Sequence, residues 1–208
     1  MKKMCRYLTL ISMPLLFAQF ASAQAGVDFN VGLGTAHAKS SGEVFETFGD
    51  GVLYRTPKLR GPFLGFGGNV MLSKRFGFGA AVNFQPHRPD YAGLKARTMF
   101  WDINGIYQPF AAERAALQLQ GGIGAANMKF YYAQTGCSGF GGCSTQTQLV
   151  DRSNHFQLHG GAGVQVYLTD HVFVRPQIDI RYVPNFFQFG TNLVPSATVW
   201  VGYSLGER

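Results

Sequence analysis

Val172-Phe173-Val174-Arg175-Pro176-Gln177-Ile178-Asp179-Ile180-Arg181-Tyr182 alternates Val172, Val174, Ile178, Ile180 and Tyr182 with Arg175, Gln177, Asp179 and Arg181. Its period is two, so successive side chains point to opposite faces of an extended strand, one apolar and one polar. A strand tilted across a bilayer needs about 9 to 11 residues to cross the hydrocarbon, whereas a helix needs about 20 consecutive apolar ones. Nothing after residue 25 meets the helical requirement.

The same reading extends to seven further segments. Strands are expected at 26–36 (Val27, Phe29, Val31, Leu33), 62–72 (Leu64, Phe66, Val70, Leu72), 76–85 (Phe76, Phe78, Ala80, Val82, Phe84) and 97–108 (Met99, Trp101, Ile103, Tyr107). Others are expected at 115–128 (Leu117, Leu119, Ile123), 154–168 (Phe156, Leu158, Ala162, Val164, Val166, Leu168) and 194–206 (Ala197, Val199, Val201, Tyr203, Leu205). The connections alternate between long (37–61, 86–96, 129–153, 183–193) and short (73–75, 109–114, 169–171) without swapping sides. That asymmetry fits an eight-stranded antiparallel up-and-down transmembrane β-barrel, with brief periplasmic turns, longer extracellular loops and both termini in the periplasm.

Which face points outward decides between a membrane barrel and a soluble one. A soluble barrel would carry many Lys and Glu on its polar face. Here that face is Gly, Asn, Gln, Ser and Thr, with Asp102, Arg175, Asp179 and Arg181 as its few charges. Such a face suits a narrow interior in which charges must pair, leaving the apolar face to lipid. Tyr107, Tyr182, Tyr203 and Phe63, near strand ends, are expected to form the interfacial aromatic belt.

Composition agrees, with 27 Gly, 14% aromatic and only 14% charged residues, against near 25% charged in ordinary soluble domains. The chain opens Met-Lys-Lys-Met-Cys-Arg, runs apolar from Leu8 to Phe20 and reaches Ala21-Ser22-Ala23 before Gln24. This is the form of a secretory signal, expected to occupy 1–23 and leave 24–208 as one barrel domain. An N-terminal anchor is the alternative, but the run is short and broken by Pro14. Loss of Lys2, Lys3 and Arg6 leaves 15 basic against 11 acidic residues, lowering the formal charge from +7 to +4. No basic cluster interleaves with aromatics, so nucleic acid is not an expected partner, and lipid head groups account for surface Lys and Arg.

Cys137 and Cys143, close together in a Gly-rich loop of an exported chain, are expected to form a disulfide. Metal binding is the rival, but no His lies between them. His155 and His159 are about 13 Å apart along a strand, too far to share one ion. No cofactor or metal is implied.

With these residues in view, the chain resembles the small eight-stranded outer-membrane barrels of the OmpA/OmpX type, the outer membrane protein beta-barrel family. The most specific pieces are Tyr167-Leu168-Thr169-Asp170-His171-Val172-Phe173-Val174-Arg175-Pro176 and the ending Gly202-Tyr203-Ser204-Leu205. The resemblance implies outer-membrane localisation and a C-terminal insertion signal read by the barrel-assembly machinery, with Tyr203 and Leu205 as its outward residues. With no periplasmic domain after the last strand, anchoring through such a domain is not expected.

Three functions fit. The first is a non-enzymatic barrel whose surface loops serve envelope integrity or extracellular interaction; eight strands enclose a space that side chains just fill, so no wide pore is expected. The second is a narrow porin-like channel, with Asp102, His159, Arg175, Asp179 and Arg181 lining a water path instead of plugging it. The third is a lipid-modifying enzyme using His155 with Ser153 or Asp151, and it has the weakest support because these residues crowd one loop edge.

Overall fold

The computed structural model describes residues 26–56, 58–137, 142–186 and 189–206. The expected signal, 1–23, lies outside the described residues. Among those described there are eleven strands and no helix: β1 Val27–Ala36, β2 Val44–Glu46, β3 Leu53–Arg55, β4 Pro62–Met71, β5 Phe76–Phe84, β6 Asp90–Tyr91, β7 Leu94–Ala111, β8 Ala115–Cys137, β9 Cys143–Tyr167, β10 Val172–Tyr182 and β11 Leu193–Leu205.

Eight of them close a ring. In the order β1, β4, β5, β7, β8, β9, β10, β11, each pairs antiparallel with the next, and β11 returns to β1 along Val27↔Leu205 to Ala36↔Ser196. Closure leaves the ring no edge strand, which a bilayer requires of any sheet that crosses it. Two of the short turns are tied by their own first residue: Ser73 Oγ accepts from the backbone N–H of Phe76 (3.1 Å), and Thr169 Oγ1 from that of Val172 (3.0 Å).

Alternation sorts the side chains as the sequence indicates. Phe29, Val31, Leu33, Phe66, Phe78, Ile103, Ile123, Phe156, Ile178, Ile180, Val199 and Val201 are exposed on the outside. Asp28, Asn30, Asn69, Asn83, Asp102, Asn104, Gln118, Gln157, Arg175 and Gln177 are buried inside.

Three expectations need correction. Phe63 is not a belt residue: it faces inward, 3% exposed, with its ring 5.7 Å from that of Phe100. Tyr107, Tyr182 and Tyr203 do face outward. Second, 129–153 is not a plain loop. β8 and β9 continue in register from Lys129↔Arg152 to Cys137↔Cys143, with one irregularity between Phe130 and Tyr131. Third, 37–61 and 86–96 contain strands of their own, the β2–β3 hairpin and β6. β6 turns into β7 through Ala92 and Gly93, both at positive φ (48° and 82°), the backbone of a two-residue type I′ hairpin.

At the end bearing the long connections, the lumen changes character. Phe63, Phe100, Met128, Phe130, Val183, Phe186 and Phe189 form a buried apolar cluster with Leu59 and Tyr91 from the connections. Bridges Ala38↔Leu59 and Ser40↔Phe189 draw 37–61 and 183–193 over this end.

Candidate functional site: a polar core beneath an apolar cap

The inward face of β10 supplies one column of the polar core, Arg175, Gln177, Asp179 and Arg181, because its odd-numbered residues share a face. Opposing strands supply the partners. Arg181 Nη2 lies 3.4 Å from Asp102 Oδ2 of β7, and Nη1 donates to Ser196 Oγ of β11 at 2.6 Å. Gln157 of β9 donates through Nε2 to Asp102 Oδ1 and to the Trp101 carbonyl (3.1 Å). One step toward the turns, Asp179 Oδ1 meets His159 Nε2 at 3.0 Å and accepts from Gln177 Nε2 at 2.6 Å. His159 Nδ1 lies 2.7 Å from Asn104 Oδ1.

All five residues expected in the interior network are there, at 1% (Asp102), 6% (His159), 2% (Arg175), 2% (Asp179) and 3% (Arg181) exposure. They do not form one continuous chain of ion pairs. Two pairs, Asp102–Arg181 and His159–Asp179, are buried side by side, while Arg175 takes neutral partners. It donates through Nη1 to Gln118 Oε1, and to the Asn69 amide oxygen at 3.0 Å once that amide is turned to face it. Its guanidinium sits 5.8 Å from the Trp200 ring.

Trp200 is the member that sequence reasoning missed. It projects inward from β11 between Thr198 and Gly202 and is 2% exposed. Gly32 and Gly65, aligned beside it across β1 and β4, make its room: a Cβ at Gly32 would lie 2.6 Å from the indole, and one at Gly65 would lie 2.5 Å from it. A large aromatic residue on a polar face, opposite inward glycines, was the available signal. The core residues leave a cavity of about 10 Å³, room for about one water.

Cys137 and Cys143 are joined in a disulfide at the tip of the β8–β9 hairpin. Tyr203 and Leu205 face outward on β11, and Tyr203 stacks on His171 with centroids 5.4 Å apart. At the opposite end, Ser153 and His155 share the inward face of β9, half-buried, with His155 edge-on to Phe186 at 5.5 Å. Asp151 Oδ1 accepts from the backbone N–H of Arg152 (2.7 Å).

No curated protein sequence matches the chain. Among solved structures it is similar to Neisserial surface protein A (12% identity, TM-score 0.54, covering 87% of this chain and 97% of that one). It is also similar to Ail of Yersinia pestis (14% identity, TM-score 0.51, 88% and 99%) and OprG of Pseudomonas aeruginosa (14%, 0.51, 90% and 99%). At these identities the likeness is one of fold. The model of the outer membrane protein beta-barrel domain matches residues 8–204, and with the closed ring of eight strands this places the chain in the outer membrane protein beta-barrel family.

Proposed function

We propose that this outer-membrane barrel is a non-enzymatic surface protein whose long-connection end faces the cell exterior and makes its contacts there, the barrel serving as a closed mount. The observation that carries the reading is the pairing of a lumen filled at mid-barrel with a disulfide-closed projection. At mid-barrel the Asp102–Arg181 ion pair, the His159–Asp179 contact, the amides and Trp200 leave about 10 Å³, and the apolar cluster caps one end. Beyond the cap, residues 132–137 and 143–148 form a two-stranded ribbon that is exposed on both faces and closed by the disulfide. Its side chains are chiefly Gln, Thr and Ser, and Thr135 Oγ1 lies 2.9 Å from Thr145 Oγ1 across it. Such a ribbon offers hydrogen-bonding groups without a large ordering cost.

The test combines topology with conductance. A peptide tag inserted beside Gly142 is expected to bind antibody on intact cells, and a tag in the Ser73–Arg75 turn only after permeabilisation. The reverse labelling overturns the orientation. In planar bilayers the folded protein is expected to give no channel steps; steady conductance would favour the narrow-channel reading, and hydrolysis of membrane lipid by the purified barrel would favour the enzymatic one.

A further inference from the structure

Three rows of outward-facing residues cross β7, β8 and β9 toward the long-connection end. Trp101, Ala125 and Phe156 are directly opposite one another, then Met99, Asn127 and Asn154, then Arg97, Lys129 and Arg152. The rows are about 7 Å apart along the strands, so the outside passes from apolar to amide to cation within two steps. The amide row is self-paired, Asn127 Nδ2 donating to Asn154 Oδ1.

The cation row sets like charges against each other at every position. Directly opposed side chains have Cβ atoms about 4.5–5.5 Å apart, and like charges so placed are destabilising. Among the described residues no carboxylate lies within ion-pair distance of any of the three. Asp90 is taken by Lys95 (2.6 Å). Asp151, next to Arg152 in the chain, lies opposite the inward Phe130 and turns to its neighbour's backbone. One row further out, Arg88 sits 4.4 Å over the Tyr131 ring and adds a fourth cation to the patch.

Position names the counter-charge. Arg97 is ten residues along β7 from Tyr107, and Lys129 ten along β8 from Leu119, which is directly opposite Tyr107. Ten tilted residues span the hydrocarbon, so with the Tyr107 level at one interface the cation row lies at the other, at the depth of lipid phosphates. We infer that Arg97, Lys129 and Arg152 form a binding site for the phosphorylated head group of a membrane lipid. The phosphate supplies the missing negative charge, the two guanidinium groups at the ends of the row offer paired N–H donors, and the acyl chains run down the Trp101–Ala125–Phe156 face.

The test is native mass spectrometry of the full folded protein in neutral detergent, titrated with a diphosphorylated glycolipid, the same glycolipid stripped of phosphate, and inorganic pyrophosphate. The wild type is expected to retain the phosphorylated lipid and neither of the others. At about fivefold per cation near a lipid surface, R97Q/K129Q/R152Q is expected to lose on the order of 100-fold in affinity, K129Q alone about fivefold, and R97K/R152K, which keeps the charges but not the paired N–H donors, less than the triple variant. Heat-shifted gel mobility verifies that each variant is folded; should the triple variant fail, K129Q carries the test. Unchanged retention by the folded variants, equal retention of the stripped lipid, or an equal loss in K74Q/R75Q at the turn end would overturn the site. Equal binding of pyrophosphate would overturn the lipid as its ligand and leave a simple anion site.

Discussion

Replacing Arg181 by Met would leave Asp102 with its charge inside the barrel and only Gln157 to answer it. The Asp102 side chain is 0% exposed and that of Arg181 4%, so bulk water cannot take over the cation's role. Removing one member of a buried pair costs about 3–5 kcal/mol, and loss of the donor to Ser196 falls within that range. The double change D102L/R181M removes both charges. Gln157 keeps its bond to the Trp101 carbonyl, and stability is expected to return to within about 1 kcal/mol of the wild type. The assay is urea unfolding in lipid vesicles followed by tryptophan fluorescence, to which Trp200 reports from the lumen. Conductance is measured on the same samples. A single variant that loses less than about 1 kcal/mol, or one that stays stable while conductance rises, would refute the idea that the pair is a structural plug.

Other outcomes follow from packing and placement. Phe100→Ala, at 0% exposure within the apolar cap, is expected to lose about 3–5 kcal/mol in the same unfolding assay. Gly65→Ala should displace Trp200, costing about 1–3 kcal/mol and shifting the emission maximum of the folded protein. Ile103→Arg, on the outside of the barrel, should cost about 2–4 kcal/mol in vesicles near the midplane; a neutral result would mean that this face does not meet hydrocarbon. Cys137→Ser with Cys143→Ser opens a short loop whose closure is worth ~2 kcal/mol. The change should appear as faster proteolysis of the hairpin tip and leave the heat-shifted band intact, because the disulfide lies beyond the ring.

How far the sequence could be read depended on whether each strand had two unlike faces. β10 and β11 alternate apolar and polar over most of their length, with Phe173, Val194 and Trp200 as inward exceptions, so their orientation was legible and their limits were legible to within one residue. β8 and β9 stop doing so partway. Toward the turns their inward residues are Gln118, Gln120 and Gln165; toward the other end they are Ala126, Met128 and Phe130, while Lys129 and Arg152 take the outside. A reader who assumes that apolar means outward loses the strand where the faces exchange roles. Beyond that, Gln134, Thr135, Thr145 and Gln146 have water on both sides, so no apolar period remains to mark a strand. Phe63 was misplaced for the same reason, since its position near a strand end fits a belt unless the lumen is known to turn apolar there. The interior charges were legible as a set because charges on a polar strand face have nowhere else to go. Their partners were not, since amides such as Gln118 and Gln157 are common and only the cross-barrel register selects among them.

The row of cations above the Trp101 face also bears on how the protein meets bilayers of different thickness. A barrel with a uniformly apolar outside could slide or tilt to match its surroundings. Here a thicker membrane would have to submerge three charges, whereas a thinner one would bare only aromatic and aliphatic groups already near the boundary. Mismatch is therefore penalised unevenly: lipid is expected to thin around β7–β9 before the barrel sinks, and the adaptation to thickness falls on the opposite wall.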